Sequence, residues 1–275
     1  MEIVDTEKLK GKLLDMFQWF HSFCQENGLQ YYAIGGTMLG AARHQGFIPW
    51  DDDIDVGMPR EDYEKLAELM RQPCSDKYVL ETPDSSKEDY FYPISKLYDT
   101  STTLIEHTKH RIKRGVFIDI FPLDGIGDSR EESERNYSKV KHQYNLLLAR
   151  VSGIRKGRSF YKNLVVVALR LIPNFVLNDK KILKKLVNGC KEYSFSDCQW
   201  CGNLVGAWGL REVMPKEIIG QPTLYRFEHL EIYGVSDADK YLTHVYGDWR
   251  KLPPIEKQIT HHDFVLLDLD KSYLE

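Results

Sequence analysis

What the chain lacks sets its class before any motif is read. Its first residues, MEIVDTEKLKGKLLDMF, are charged throughout, with neither the apolar run nor the small-residue cleavage site of a signal peptide. No uninterrupted apolar segment approaches the roughly 18 residues of a spanning helix. A cytoplasmic location is therefore expected. A basic excess is also missing: 37 Lys and Arg face 41 Asp and Glu, a formal net charge of -4. That balance argues against a nucleic-acid partner, although local basic patches occur at Lys109–Arg114 and Lys180–Lys185. The five cysteines, Cys24, Cys74, Cys190, Cys198 and Cys201, are odd in number and irregularly spaced, which suits a reducing compartment. Cys190, Cys198 and Cys201 offer three thiols to a zinc ion or a redox pair, but a structural zinc takes four ligands and no fourth has recognisable spacing. Idle buried thiols are the favoured reading. Neither a Walker loop nor a GxGxxG fingerprint is present, and no repeat or low-complexity tract interrupts the 275 residues.

What is present reads as an α+β protein. Leu9, Leu13, Phe17, Phe20 and Cys24 recur at three- and four-residue steps, which predicts an amphipathic helix from Thr6 to Asn27. Tyr31–Ile34 is a short strand entering Gly-Gly, and Thr37 is the expected N-cap of a helix through His44. A second strand is expected over Asp52–Met58, and Pro59 opens another helix. Strands are expected at 78–81, 91–98, 102–106 and 116–121. Long helices follow at 130–151 and 160–172, and the last hundred residues read as short helices and loops. The division expected is a core of residues 1–128 and a helical lobe of 129–275, the two forming either separate units or one continuous domain.

Chemistry concentrates in Gly35–Asp55, GGTMLGAARHQGFIPWDDDID. Gly35 and Gly36 follow a strand, so backbone N–H groups can approach an anion with no Cβ between. A helix opening at Thr37 adds its partial positive charge and a hydroxyl. Alternation along a strand would put Asp51, Asp53 and Asp55 on one face. Three like charges so placed repel unless a cation neutralises them. Their hard oxygens suit Mg²⁺ or Mn²⁺, held by one or two carboxylates plus substrate phosphates. Two other readings stand beside this one. The stretch resembles the start of an EF-hand, with its glycine one place late and Asp62 where glutamate belongs. It also reads as a solvated acidic turn, against which Phe47–Trp50 and Ile54 speak.

Asp119 interrupts the apolar run VFIDIF, where a lone carboxylate is costly. It is a candidate third metal ligand or a base, or else one half of an arginine pair. Arg43 and His44 end the cradle helix, where a guanidinium fork suits phosphate or one of the aspartates. Lys96 is a cation in a strand-like segment and a second phosphate candidate. Trp50, Trp208 and Trp249 are candidate aromatic faces for a quaternary ammonium. Thr260-His-His-Asp263 reads as polar side chains on the surface or in the substrate lobe rather than a metal site.

The run Gly35–Asp55, continued by Pro59–Tyr63, Phe117–Pro122 and YGDWRKLPP at Tyr246–Pro254, resembles the LicD family over most of the chain. These are bacterial phosphocholine transferases of the nucleotidyltransferase superfamily, related to the fukutin-type ribitol-phosphate transferases. The resemblance implies a nucleotidyltransferase-like core and transfer of phosphocholine from CDP-choline to a sugar hydroxyl. The acceptor implied is a cell-surface glycan precursor of teichoic acid or lipopolysaccharide type. It places the anion-holding turn on Gly36–Thr37, the metal pair on Asp53 and Asp55, and the third acid on Asp119. Another CDP-linked cargo, such as ribitol phosphate or phosphoethanolamine, and plain nucleotidyl transfer are alternatives that the same residues would serve. A glycan- or metal-binding protein without catalysis is a further one.

One segment lies outside that chemistry. Phe160–Pro173 is apolar and is followed by the lysines of 180–185, the ingredients of an interfacial helix on anionic lipid. A core helix is the competing reading. A lipid-linked acceptor would give peripheral contact at the inner face of a membrane its purpose.

Overall fold

The computed structural model describes residues 5–85, 89–109, 111–151, 160–260 and 264–275. Its helices are α1 (Thr6–Glu26), α2 (Gly35–His44), α3 (Arg60–Leu69), α4 (Arg130–Val151), α5 (Phe160–Leu171), α6 (Asp179–Cys190), α7 (Lys216–Ile219) and α8 (Ala238–Tyr246). The strands are β1 (Tyr32–Ala33), β2 (Asp55–Pro59), β3 (Tyr78–Glu81), β4 (Ser95–Asp99), β5 (Thr103–Glu106), β6 (Lys113–Arg114) and β7 (Phe117–Gly127). Beyond these lie β8 (Trp200–Gly202), β9 (Val213–Pro215), β10 (Thr223–Phe227), β11 (Leu230–Gly234) and β12 (Phe264–Asp268).

A mixed sheet in the order β10-β11-β1-β2-β7-β4-β3 forms the frame, with β8 and β9 continuing from the far half of β7. β7 is long enough to serve two neighbours along its length. Its first residues pair with β4 while Asp124–Gly127 pair with β8. β2 runs parallel to β7, and the register sets Asp55 opposite Asp119. β4 runs antiparallel on the other side and sets Lys96 opposite the same Asp119. Three charged residues thus share one row across the middle of the sheet.

Helix α1 covers the sheet with the expected stripe. Leu9, Leu13, Met16, Phe17, Phe20 and Cys24 are buried, and the Asp5 carboxylate caps the first turn by accepting from the Lys8 N–H at 3.0 Å. Each large side chain so buried contributes about 1.5–3 kcal/mol. A second core gathers Tyr137, Val140 and Leu147 of α4 with Ile182, Leu183, Leu186 and Val187 of α6.

Four expectations need correction. The strand expected at 91–98 begins only at Ser95, as β4. The strand expected at Asp52–Met58 starts only at Asp55, because β1 is two residues long and offers no ladder partner further back. Helix α2 starts at Gly35 with Ile34 in the cap position, so Thr37 lies inside the first turn. The last hundred residues are not only short helices and loops. β10 and β11 form a hairpin that joins the sheet through β1. Its two-residue turn is Glu228-His229, with Glu228 at φ 56°, and carries none of the Asn-Gly signal that marks such turns in sequence. One sheet therefore draws on both sides of residue 128.

Candidate active site

The aspartate loop is set by local bonds and by the C-terminal hairpin together. The Thr37 hydroxyl accepts from the Asp55 N–H at 2.8 Å, so the cradle helix holds the first residue of β2. The Ile34 N–H donates to the Asp55 carbonyl at 3.2 Å. On the other side the Glu228 carboxylate accepts from the Phe47 N–H at 3.0 Å, and the Glu228 N–H donates to the Gln45 carbonyl at 2.7 Å. A turn nearly two hundred residues away thereby fixes the entry to the loop.

The two glycines of the cradle are used differently. Gly35 has φ +55°, a conformation that disfavours a side chain, and its N–H donates to the Tyr241 hydroxyl at 3.0 Å. At Gly36 an added Cβ would lie 2.7 Å from Asp51 Oδ2, so glycine lets that carboxylate close onto the helix start.

Gly36, Arg43, Asp51, Asp53 and Asp55 line one cleft of about 710 Å³. The alternation inferred for a strand survives although residues 51–54 are loop. Asp52 is directed elsewhere, its Oδ2 accepting from the Thr260 hydroxyl at 2.8 Å. Residues that sequence reasoning had not joined to the aspartates complete the wall: Tyr246, Lys251 and Lys257, together with Trp50, Trp208 and Trp249. Most come from the segment YGDWRKLPP and the few residues after it, so the motif was visible but its place was not. Trp208 meets Tyr246 edge-on at 4.9 Å, and the Arg250 guanidinium covers the Trp249 ring at 4.4 Å.

The carboxylates crowd. Burial first, then the charges of Asp53, Asp119, Asp51 and Glu212, push the Asp55 carboxyl well above the usual carboxylate range. Asp119 is met by Lys96, whose Nζ lies 2.9 Å from Oδ1 and 3.7 Å from Glu106. The Lys96 ammonium is buried over the Phe117 ring at 3.4 Å and does not line the cleft. Lys96, a phosphate candidate by sequence, pairs with Asp119 in this structure. Arg43 donates to the Trp249 carbonyl at 2.7 Å and to His44 Nε2 at 2.9 Å. Burial, then the adjoining guanidinium, hold His44 below its ordinary value, which suits its acceptor role.

Asp124, further along β7, is structural: it takes a bidentate pair from Arg60 at 2.7 and 2.8 Å. Glu212 went unnoticed. It accepts from the Trp208 N–H and from Asn203 Nδ2, each at 2.8 Å, and so shapes the loop that brings Trp208 to the cleft. Burial pushes its carboxyl up to about 7. The thiols of Cys190, Cys198 and Cys201 are all driven upward by burial, Cys201 to about 12, and so stay protonated. No three ligating side chains form a ready metal cluster among the described residues. His261, His262 and Asp263 lie outside them.

Residues 28–146 match the family described as LicD/FKTN/FKRP, nucleotidyltransferase domain. A Haemophilus influenzae protein, lipopolysaccharide cholinephosphotransferase LicD, is 31% identical over 252 residues, covering 90% of this chain and 92% of that one. The chain belongs to the LicD/FKTN/FKRP family. It is a transferase. Two relatives match more narrowly. Human ribitol 5-phosphate transferase FKRP is 48% identical over 42 residues, 15% of this chain and 8% of its own. Mannosyltransferase regulator 4 of Saccharomyces cerevisiae is 27% identical over 146 residues, 51% of this chain and 12% of its own. The mixed sheet with flanking helices agrees with the α+β nucleotidyltransferase-like fold that the LicD resemblance implies.

Proposed function

We propose that this LicD-family transferase moves phosphocholine from CDP-choline to a sugar hydroxyl of a lipopolysaccharide- or teichoic-acid-type precursor. One observation carries the reading: Asp51, Asp53 and Asp55, the cradle at Gly36 and an aromatic wall face a single cleft. A diphosphate would find backbone N–H groups and the dipole of α2 at Gly36–Thr37, with Arg43, Lys251 and Lys257 as cations on the same walls. A trimethylammonium group would find the faces of Trp208, Tyr246 and Trp50, the surfaces that bind quaternary ammonium best. A ribityl chain would have little use for them. The Haemophilus relative, matched over nine-tenths of this chain, bears the corresponding name.

Asp53 and Asp55 fit a divalent cation, Mg²⁺ or Mn²⁺. The cluster carries more negative charge than Lys96 offsets, and two carboxylates with substrate phosphates are the donor set Mg²⁺ prefers to a closed cage. When bound, the ion would supply charge neutralisation on the diphosphate and the departing nucleotide. In the transfer the acceptor hydroxyl oxygen bonds to the phosphorus that carries choline. The bond from that phosphorus to the bridging oxygen breaks, and CMP leaves with the electron pair. The hydroxyl proton passes to Asp119, kept in place by Lys96.

Titration calorimetry with CDP-choline, CDP-ribitol and CTP, in Mg²⁺ and then in chelator, tests this on wild type and Trp208→Ala. Magnesium-dependent binding of CDP-choline, weakened about tenfold or more in the variant, supports it. Equal or tighter binding of CDP-ribitol would overturn the choline assignment.

A further inference from the structure

The stretch from Arg150 to Lys191 reverses the charge of the chain. Eleven of the 37 Lys and Arg fall within it, against a single one of the 41 acids, Asp179. Asp179 is buried between Arg150 at 2.6 Å and Lys109 at 3.3 Å, so it projects no negative field outward. Arg150 pairs with Asp179 and Lys191 with Glu64 and Asp84, so among the described residues the outward charge of this region is positive and lies on Lys181, Lys184 and Lys185.

The same stretch turns apolar groups outward. Seven of the seventeen exposed large apolar side chains among the described residues lie within residues 161–176. On α5, Tyr161 and Leu171 are each 77% exposed and Leu164 and Val165 more than half, while Val166 is buried. The turn that follows holds Phe175 at 90% and Val176 at 65% exposure. These groups stand on a braced frame. The buried Arg150 guanidinium donates to the carbonyls of Leu169, Ile172 at 2.7 Å and Leu177 at 3.0 Å, fixing the end of α5 and its turn. Helix α6 then faces solvent with Lys181, Lys184 and Lys185 between its buried Ile182, Leu183 and Leu186.

We infer that α5 and its following turn lie in the interface of an anionic bilayer, with the lysines of α6 on the headgroups. Apolar side chains enter the acyl boundary while lysines meet anionic phosphate, the two-part signal of a peripheral helix. A second copy of the chain would cover the apolar face too, but a symmetric contact would set this positive region against itself. No helix among the described residues is long and apolar enough to cross a membrane, so the contact made by α5 is interfacial. This inference is independent of which donor and acceptor the cleft uses.

Vesicle sedimentation tests it, with phosphatidylcholine alone and with phosphatidylcholine and phosphatidylglycerol in roughly equal parts. Binding is expected to the anionic vesicles only and to weaken as salt rises. Leu171→Ser and Phe175→Ser should each weaken it about tenfold. Lys181→Ala, Lys184→Ala and Lys185→Ala together should weaken it about a hundredfold. Both apolar positions are exposed, so unchanged melting temperatures are expected. Phe175→Trp adds a second readout, a blue-shifted emission on anionic vesicles. No pelleting at low salt, or no loss in the variants, overturns the inference. So does a lipid-free dimer that Leu171→Ser and Phe175→Ser dissociate.

Discussion

Replacing Lys96 by Met keeps the length of the side chain and removes one charge from the row Asp55, Asp119, Lys96. The ammonium lies 2.9 Å from Asp119 Oδ1. At an effective dielectric of about 20, Coulomb attraction at that distance is ~6 kcal/mol. Desolvating the ammonium, only 2% exposed, offsets much of it, so the net worth of the pair is smaller. The variant does not read that net worth. It reads an Asp119 left facing Asp55 across the parallel ladder without the Lys96 charge. Breaking a buried pair from one side costs about 3–5 kcal/mol. The Asp119 side chain keeps 16% exposure, which places the expectation at the lower end, about 3 kcal/mol. Urea unfolding followed by tryptophan emission at neutral pH should show a lower midpoint with an unchanged slope. Lys96→Met with Asp119→Asn removes both charges and should recover most of the loss. Burial pulls the Lys96 ammonium down, but Asp119 and Glu106 more than offset it and leave it raised. A raised cation contributes stability below the ordinary lysine range and loses it only as pH climbs through the folded value. The difference from wild type should therefore hold steady across neutral pH. A single variant within about 0.5 kcal/mol of wild type would refute the reasoning. So would a double variant no more stable than the single one.

Other outcomes rest on the same geometry. Asp53→Asn should lower CMP release more than about a hundredfold. In chelator it should melt no lower than wild type, because Asp55 loses one repelling neighbour; a clear drop in melting temperature would contradict the crowding argument. Glu212 has its carboxyl raised to about 7 from 4.5, so the folded state holds the proton more tightly than the unfolded one. Stability should accordingly fall by about 3 kcal/mol as pH climbs between those values, and Glu212→Gln should flatten that slope in a pH series of melts. At Gly40 an added Cβ would lie 2.4 Å from the Gly46 carbonyl oxygen, so Gly40→Ala must displace the loop that leads to the aspartates. A loss of about 1–3 kcal/mol with a raised KM is expected, and a melt and KM equal to wild type would show that the loop yields freely.

Much of the fold was legible because burial writes a period into the chain. The stripe of α1 and the strand at 78–81 match their expected ranges closely, since their apolar spacing is strong. Where pattern and pairing disagree, pairing won. Asp52–Ile54 has strand composition but holds β7 only through the Ile54 carbonyl, which accepts from the Asp119 N–H at 3.0 Å, whereas β7 runs on through Pro122 to Gly127 because β2 and β8 hold its length. The β10–β11 hairpin was hidden by its Glu-His turn.

The sequence alone determined which side chains carry the chemistry. Glycines, aspartates and a following apolar strand within a few dozen residues are local features, and local features survive as text. It also determined the family and the apolar, basic character of 160–185. What only the tertiary structure decided is which charges meet. Asp119 answers to both Asp55 and Lys96 because two strands of opposite direction flank β7. Trp208 and Tyr246 face the aspartates because segments distant in the chain close one cleft. Such pairings depend on strand register and on the return of the chain, and neither is written in the spacing of residues along it.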